Sequence, residues 1–158
     1  MKKPLQEFWG YLALFSLTCL PAVIGRLTSY QANKLWYSAL AKPFFVPPAW
    51  VFPIVWPTLY FFMATAAWMI WRRHQDFTSK PLLWYYLQLG ANALWSPIFF
   101  GAHLLFSSMV WSYVLVTVVT ITTHLFLQTD RAAGTLLVPY ALWCGFAAVI
   151  STALWIMN

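Results

Sequence analysis

Five apolar runs, each long enough to cross a bilayer as a helix, leave this chain few other ways to fold. A membrane span needs about 20 apolar residues, and the runs fall near 8–27, 49–71, 82–104, 106–128 and 133–157. Polar connectors separate most of them. Arg72-Arg73-His74-Gln75-Asp76 stops the second run, and Thr129-Asp130-Arg131 parts the fourth from the fifth. Around His103 the connector is nearly absent, so the third and fourth helices should be antiparallel neighbours. Runs this continuously apolar do not fit a closed barrel of alternating strands. The expected fold is an all-α membrane protein, a five-transmembrane-helix bundle forming one domain over residues 1–158.

Composition agrees: 62% of residues are hydrophobic and 8% charged, where a soluble domain carries about 25% charge. Nine basic residues against three acidic ones suit lipid headgroups and topology. No dense basic face is present, so no nucleic-acid partner is expected. Lys2, Lys3, Arg72, Arg73, Lys80 and Arg131 flank the spans on one side, and Arg26, Lys34 and Lys42 on the other. That asymmetry puts the N-terminus inside an energised membrane. Met1-Lys2-Lys3 before an apolar run imitates a secretory signal, but no A-x-A-like cleavage site follows, and Cys19 has Ser16 where a lipoprotein signal carries a leucine three positions upstream. The segment reads as a retained first helix. Cys19 and Cys144 lie within apolar runs without metal-ligand spacing and read as small core hydrophobes.

Residues 42–60 read K-P-F-F-V-P-P-A-W-V-F-P-I-V-W-P-T-L-Y. Proline lacks an amide hydrogen and fixes φ, so Pro43, Pro47 and Pro48 make a rigid approach to the second span. Pro53 and Pro57 fall in the first turns of its helix, where a missing donor costs least or kinks the chain. Trp50, Trp56 and Tyr60 should ride on that helix. The stretch is either a membrane-interface aromatic belt or a stiff lid and wall for a flat apolar ligand. The connector before it, 28–48, is amphipathic and long for a compact domain, and such loops are often functional.

Polar residues inside a span must find partners or face a cavity. In the third run Gln88, Asn92, Trp95 and Phe99 recur at i, i+4, i+7 and i+11, one helical face. An amide pair and two rings on one stripe suit a ligand pocket; equally, Asn92 suits a hydrogen bond to a neighbouring helix. In the fifth run Pro139, Trp143 and Ala147 share a face. Ala141, Gly145, Ala148 and Thr152 form a small-residue stripe suited to helix packing, within the bundle or between protomers.

Other features carry no chemistry. Thr117, Thr120, Thr122 and Thr123 should bond carbonyls of their own helix. His74, His103 and His124 are scattered, so no metal site or haem-iron ligand is expected. Glu7, Asp76 and Asp130 lie at segment ends, leaving no acid–base pair. No internal repeat supports alternating-access transport. Leu27-x2-Tyr30-x3-Lys34 and Leu35-x-Tyr37-x4-Lys42 satisfy a proposed cholesterol pattern, too loose a pattern to carry an argument for sterol binding.

Three stretches taken together resemble the translocator protein / tryptophan-rich sensory protein (TspO/MBR) family. They are Trp36-Tyr37 leading into 42–60, A-N-A-L-W-S-P-I-F-F-G at 91–101, and V-P-Y-A-L-W at 138–143. The resemblance implies a five-helix bundle, often a homodimer, with a pocket beneath the first loop. It implies porphyrin or haem-related tetrapyrrole as ligand, with no required cofactor; eukaryotic relatives bind cholesterol and drug-like ligands. By motif position the pocket takes Trp50, Trp56, Tyr60, Asn92, Trp95, Trp143 and Ala147. Trp36 and Phe52 in the matching stretches, and Gln88 and Phe99 on the stripe, are counted with them. Trp56 and Trp143 match tryptophans associated with light-dependent porphyrin breakdown, which makes them the catalytic candidates if the protein is an enzyme. Arg26, Lys34 and Lys42 are the cations expected near ligand propionates. The chain departs from the family at Phe44-Phe45, where relatives commonly carry tryptophan, and at Ser151, where they often carry asparagine. It also lacks the C-terminal cholesterol motif of animal members. The Phe44-Phe45 departure bears on the lid or on ligand preference, and the missing cholesterol motif favours a bacterial-type tetrapyrrole binder in the cell membrane over a sterol translocator.

Overall fold

The computed structural model describes residues 4–29 and 32–158, with only the backbone described at 32–34. The described residues form helices and connectors without strands. Helix α1 spans Pro4–Thr28, α2 Ala32–Ala39, α3 Phe52–His74, α4 Lys80–Ser96, α5 Leu105–Thr129 and α6 Arg131–Met157. By length and composition, four helical stretches suit a membrane crossing: α1, Ala49–His74, α5 and α6.

The third apolar run is the exception to the expected pattern. Its α-helix is 17 residues long and stops at Ser96, and the chain then widens into a π-helical turn, Pro97–Gly101. Proline explains the change: Pro97 has no N–H for the α-helical ladder, and its ring crowds the preceding turn. The Ala102 amide instead donates to the Pro97 carbonyl at 2.9 Å. His103 at φ 56° ends the run, and two residues later α5 begins. α4 and α5 pack against each other, as their short connector requires.

The connector at 28–48 contains α2, followed by an extended proline segment. Its last residue, Pro48, has φ −56° and ψ 148°. The Val51 amide donates to the Pro48 carbonyl at 3.0 Å, closing a 3₁₀ turn over Ala49–Val51 that leads into α3. Trp50 therefore stands on that turn and not on α3. At the other end of α3, Gln75 adopts left-handed geometry (φ 59°) and its amide caps the Trp71 carbonyl. Arg72, Arg73 and His74 occupy the last turn, where positive charge complements the helix dipole.

Helix α3 is the axis of the bundle. Met63, Ala64, Ala66, Ala67 and Ile70 expose 0% of their surface, because α3 packs against α1, α4, α5 and α6. Its alanines let those neighbours approach. The α5–α6 hairpin turns on Asp130, whose carboxylate accepts from the Ala132 and Ala133 amides at 2.9 and 3.2 Å and so caps α6. A Cβ on Gly134 would lie 2.5 Å from the Leu127 backbone nitrogen, so only glycine permits this tight return. The small-residue face of α6 is divided: Ala148 is buried and Thr152 meets the Tyr113 hydroxyl of α5 at 3.1 Å, whereas a Cβ on Gly145 would meet nothing. The threonines of α5 behave as expected. Thr117, Thr120, Thr122 and Thr123 donate to the carbonyls four residues back.

Candidate functional site

One face of α4 collects the polar and aromatic residues singled out in its sequence. Gln88 and Asn92 expose only 1% and 8% of their surface, and Phe99 1%. The Tyr140 hydroxyl of α6 donates to Gln88 Oε1 at 2.9 Å, which leaves Gln88 Nε2 without a partner. Asn92 lies beside the Tyr60 hydroxyl of α3, yet its Nδ2 also makes no hydrogen bond. Two amide donors one helical turn apart are thus buried and unpaired. Burying such a group without a partner costs about 1–3 kcal/mol, and a site that tolerates two of them is suited to receiving an acceptor.

Above the amides, the rings pack on one another. Trp95 stacks on Phe99 with centroids 4.9 Å apart and planes within 10°. The Trp95 N–H is used elsewhere: it donates to Ser112 Oγ at 2.8 Å, and the Ser112 hydroxyl in turn reaches the Ser108 carbonyl and Ser151 Oγ. Trp95 therefore offers its ring face and not its donor. The loop helix α2 lies over this group. Trp36 meets Phe99 edge-on at 5.4 Å and lies flat on His103 at 4.1 Å, and Tyr37 meets Phe99 and Phe100.

A second aromatic group joins α3 to α6. Trp56 stacks on Tyr60 at 5.4 Å, Phe52 meets Trp143 at 5.9 Å, and Trp143 meets Phe146 at 6.0 Å. Phe45 of the proline segment touches Phe146 in turn. Ala147, one turn beyond Trp143, is half-buried. Trp50 stands apart, 66% exposed on its 3₁₀ turn. The rings within each group contact one another.

The expected mouth cations are arranged unequally. Lys42 folds back on its own loop, its ammonium donating to the Ser38 and Leu40 carbonyls at 3.2 and 3.0 Å and lying 4.7 Å from the Tyr37 ring centre. Burial pushes the Tyr37 hydroxyl up, which keeps that ring neutral beneath the ammonium. The second cholesterol-pattern match thus forms a local Lys42–Tyr37 contact. Arg26 is exposed in the last turn of α1. The Lys34 side chain and Tyr30 lie outside the described residues, as do Lys2 and Lys3. His103 stacks on Trp36, and His124 Nε2 meets the Gln128 amide at 2.9 Å.

Sequence reasoning missed Tyr140 and Ser112. Tyr140 sits inside a stretch quoted for the resemblance, one turn before Trp143, so its spacing was a usable signal. Ser112, one of three serines in the apolar α5, offered none. The assembled groups present ring faces and amide donors to one another, with the His103 imidazole stacked at their edge.

Known proteins carry the same pattern along nearly the whole chain. The TspO/MBR family matches residues 13–156. The protein CrtK of Rhodobacter capsulatus is 35% identical over 148 residues, covering 92% of this chain and 91% of the relative. A tryptophan-rich sensory protein of Cereibacter sphaeroides is 36% identical over 85% of this chain and 83% of its own length. The human translocator protein is 33% identical over 98% of this chain and 92% of its own length. With the helical architecture and the aromatic site already described, these matches make this chain an integral membrane protein of the TspO/MBR family.

Proposed function

We propose that this protein is a membrane receptor that binds porphyrin-type tetrapyrroles between α2, α3, α4 and α6 and governs their level or signalling. One observation carries the reading: the two buried, unpaired amides of Gln88 and Asn92 share a helical face with the stacked rings of Trp95 and Phe99. A planar macrocycle stacks offset on such rings, and one of its carboxylates gives the stranded donors an acceptor. Its other carboxylate lies toward the far face, where Arg26 and a released Lys42 are the candidate partners and Lys34 lies outside the described residues. In this reading α4 and its π turn are the fifth crossing: together they are about 30 Å long, enough for the hydrocarbon core. The N-terminus then lies inside and the aromatic site opens toward the far face.

The test is a protoporphyrin titration of the full chain in detergent, in the dark, followed by tryptophan quenching. With eleven tryptophans the parent signal alone is ambiguous, so Trp56→Phe and Trp143→Phe are titrated beside it. Saturable binding in the micromolar range or tighter, weakened by either change, is the expected result. Absence of saturable binding overturns the proposal. Illuminating the same samples separates binding from breakdown: product formed by the parent and lost in Trp56→Phe would make the protein a porphyrin-degrading enzyme.

A further inference from the structure

Among the described residues, the buried polar side chains are hydroxyls and two amides, Gln88 and Asn92, with no buried cation or carboxylate. The hydroxyls of Thr18, Ser108, Ser112, Thr122 and Thr123 donate to carbonyls of their own helices. Gln88 Nε2 and Asn92 Nδ2 are the buried side-chain nitrogens there that make no hydrogen bond. Helix α4 sets the two residues four apart, on one face. An acceptor that reaches the middle of this bundle therefore meets two amide donors and no charge.

Which end of the Gln88 amide faces the site is decided from α6. The last torsion of a glutamine is broad and roughly two-fold, so the amide can turn over and exchange its oxygen for its nitrogen. Tyr140, only 1% exposed, removes that freedom. Its hydroxyl donates to Gln88 Oε1 at 2.9 Å, which engages the oxygen and leaves the nitrogen to face outward with its hydrogens unspent. Turned over, Gln88 would present an oxygen beside Asn92, and an oxygen repels a carboxylate. The phenol gives the pair its sign.

We propose that Tyr140 is a positioning residue: by fixing the Gln88 amide, it makes the Gln88–Asn92 pair select a free carboxylate over its ester. The inference rests on the tetrapyrrole reading above and deepens it, since it specifies a porphyrin with at least one unesterified acid. An ionised carboxylate has two oxygens and about four lone-pair sites, enough for both amides, and its hydrogen bonds are charge-assisted. An ester is neutral, keeps one carbonyl oxygen and brings an alkyl group to the same place. Arg26 and Lys42 would favour the acid as well, so the mark of the pair is the part of the preference that depends on Tyr140.

Protoporphyrin and its dimethyl ester, titrated in the dark and read by Soret absorbance, test the proposal. The full chain, Tyr140→Phe, Gln88→Met and the double variant are compared at one detergent concentration, so that partition into micelles cancels between samples. Tyr140→Phe keeps the ring and loses the donor; its acid-to-ester affinity ratio should fall about threefold below the parent's. Gln88→Met should lower the ratio at least as far, and adding Tyr140→Phe to it should change the ratio no more, because the phenol acts through the amide. A tyrosine that merely supports the fold would weaken both ligands alike and leave the ratio where it was. A ratio in Tyr140→Phe equal to the parent's, or shifted further toward the acid, overturns the proposal and leaves the tetrapyrrole reading standing. If a melting scan shows Tyr140→Phe unfolded, the double variant, which removes both partners together, is judged against Gln88→Met, and a lower ratio in the double variant overturns the proposal. Binding of neither compound by the parent overturns the tetrapyrrole reading itself, and the proposal with it.

Discussion

Gln88 and Asn92 show how one residue type serves opposite ends. A buried amide with an empty donor weakens the folded state by about 1–3 kcal/mol, and native proteins leave few such groups. At Gln88 the Tyr140 hydroxyl satisfies the carbonyl side, so truncating Gln88 would strand Tyr140 as well. Asn92 lies beside the Tyr60 hydroxyl, and its Nδ2 has no hydrogen bond to lose. Asn92→Leu should therefore leave the thermal unfolding midpoint of the ligand-free protein close to that of the parent, because losing a stranded donor offsets the cost of extra volume. Affinity for protoporphyrin should fall about tenfold, the value of one lost hydrogen bond in a dry site. Melts and titrations of the two proteins side by side check both halves, and unchanged affinity would return Asn92 to a purely structural role.

Among the elements, the α5–α6 hairpin has a titratable hinge. Burial pushes the Asp130 carboxyl up, but the Ala133 amide, the Arg73 guanidinium and the Ala132 amide together outweigh it and hold the group below its ordinary value of 3.8. A carboxyl held lower in the folded chain than in the unfolded one contributes stability at pH above the ordinary value. That contribution is lost as pH falls through the folded-state value. The bundle should therefore lose stability below about pH 4. Asp130→Asn keeps a capping oxygen but not the charge. It should cost about 0.5–1 kcal/mol at pH 7 and flatten the acid limb. Unfolding midpoints from pH 7 to pH 3 for both proteins measure this. An equally steep acid limb in Asp130→Asn would assign it to other carboxylates.

Over the whole molecule, the first loop is held at two distant points. On one side Trp36 and Tyr37 rest on the rings at the end of α4. On the other, the Asn158 amide clasps Ala41, donating to its carbonyl at 3.0 Å and accepting from its N–H at 2.9 Å. Since the rings beneath are in mutual contact, the proposed binding requires this cover to lift. Trp36→Ala removes one holding point. It should accelerate both association and dissociation of protoporphyrin several-fold, with a smaller change in affinity, as read by stopped-flow quenching. Unchanged rates would mean that the loop does not gate the site.

The all-helical class, most span limits and the one-faced grouping of Gln88, Asn92, Trp95 and Phe99 were legible in the sequence. These are local properties: apolar length sets a helix, and 3.6-residue periodicity sets which side chains share a face. The order of the proline, asparagine–tryptophan and Val-Pro-Tyr stretches was enough to indicate the family. Other features depended on which helix lies against which. Only the packed bundle decided that Ser112 takes the Trp95 N–H, that Tyr140 takes half of Gln88, and that Lys42 folds onto Tyr37 instead of standing at a mouth. The π turn at Pro97 is intermediate: proline announces a break, but whether the chain kinks, stops or widens depends on the α5 return it must reach. Hydrogen-bond partners between helices arise from tertiary placement, and no periodicity within a single segment encodes them.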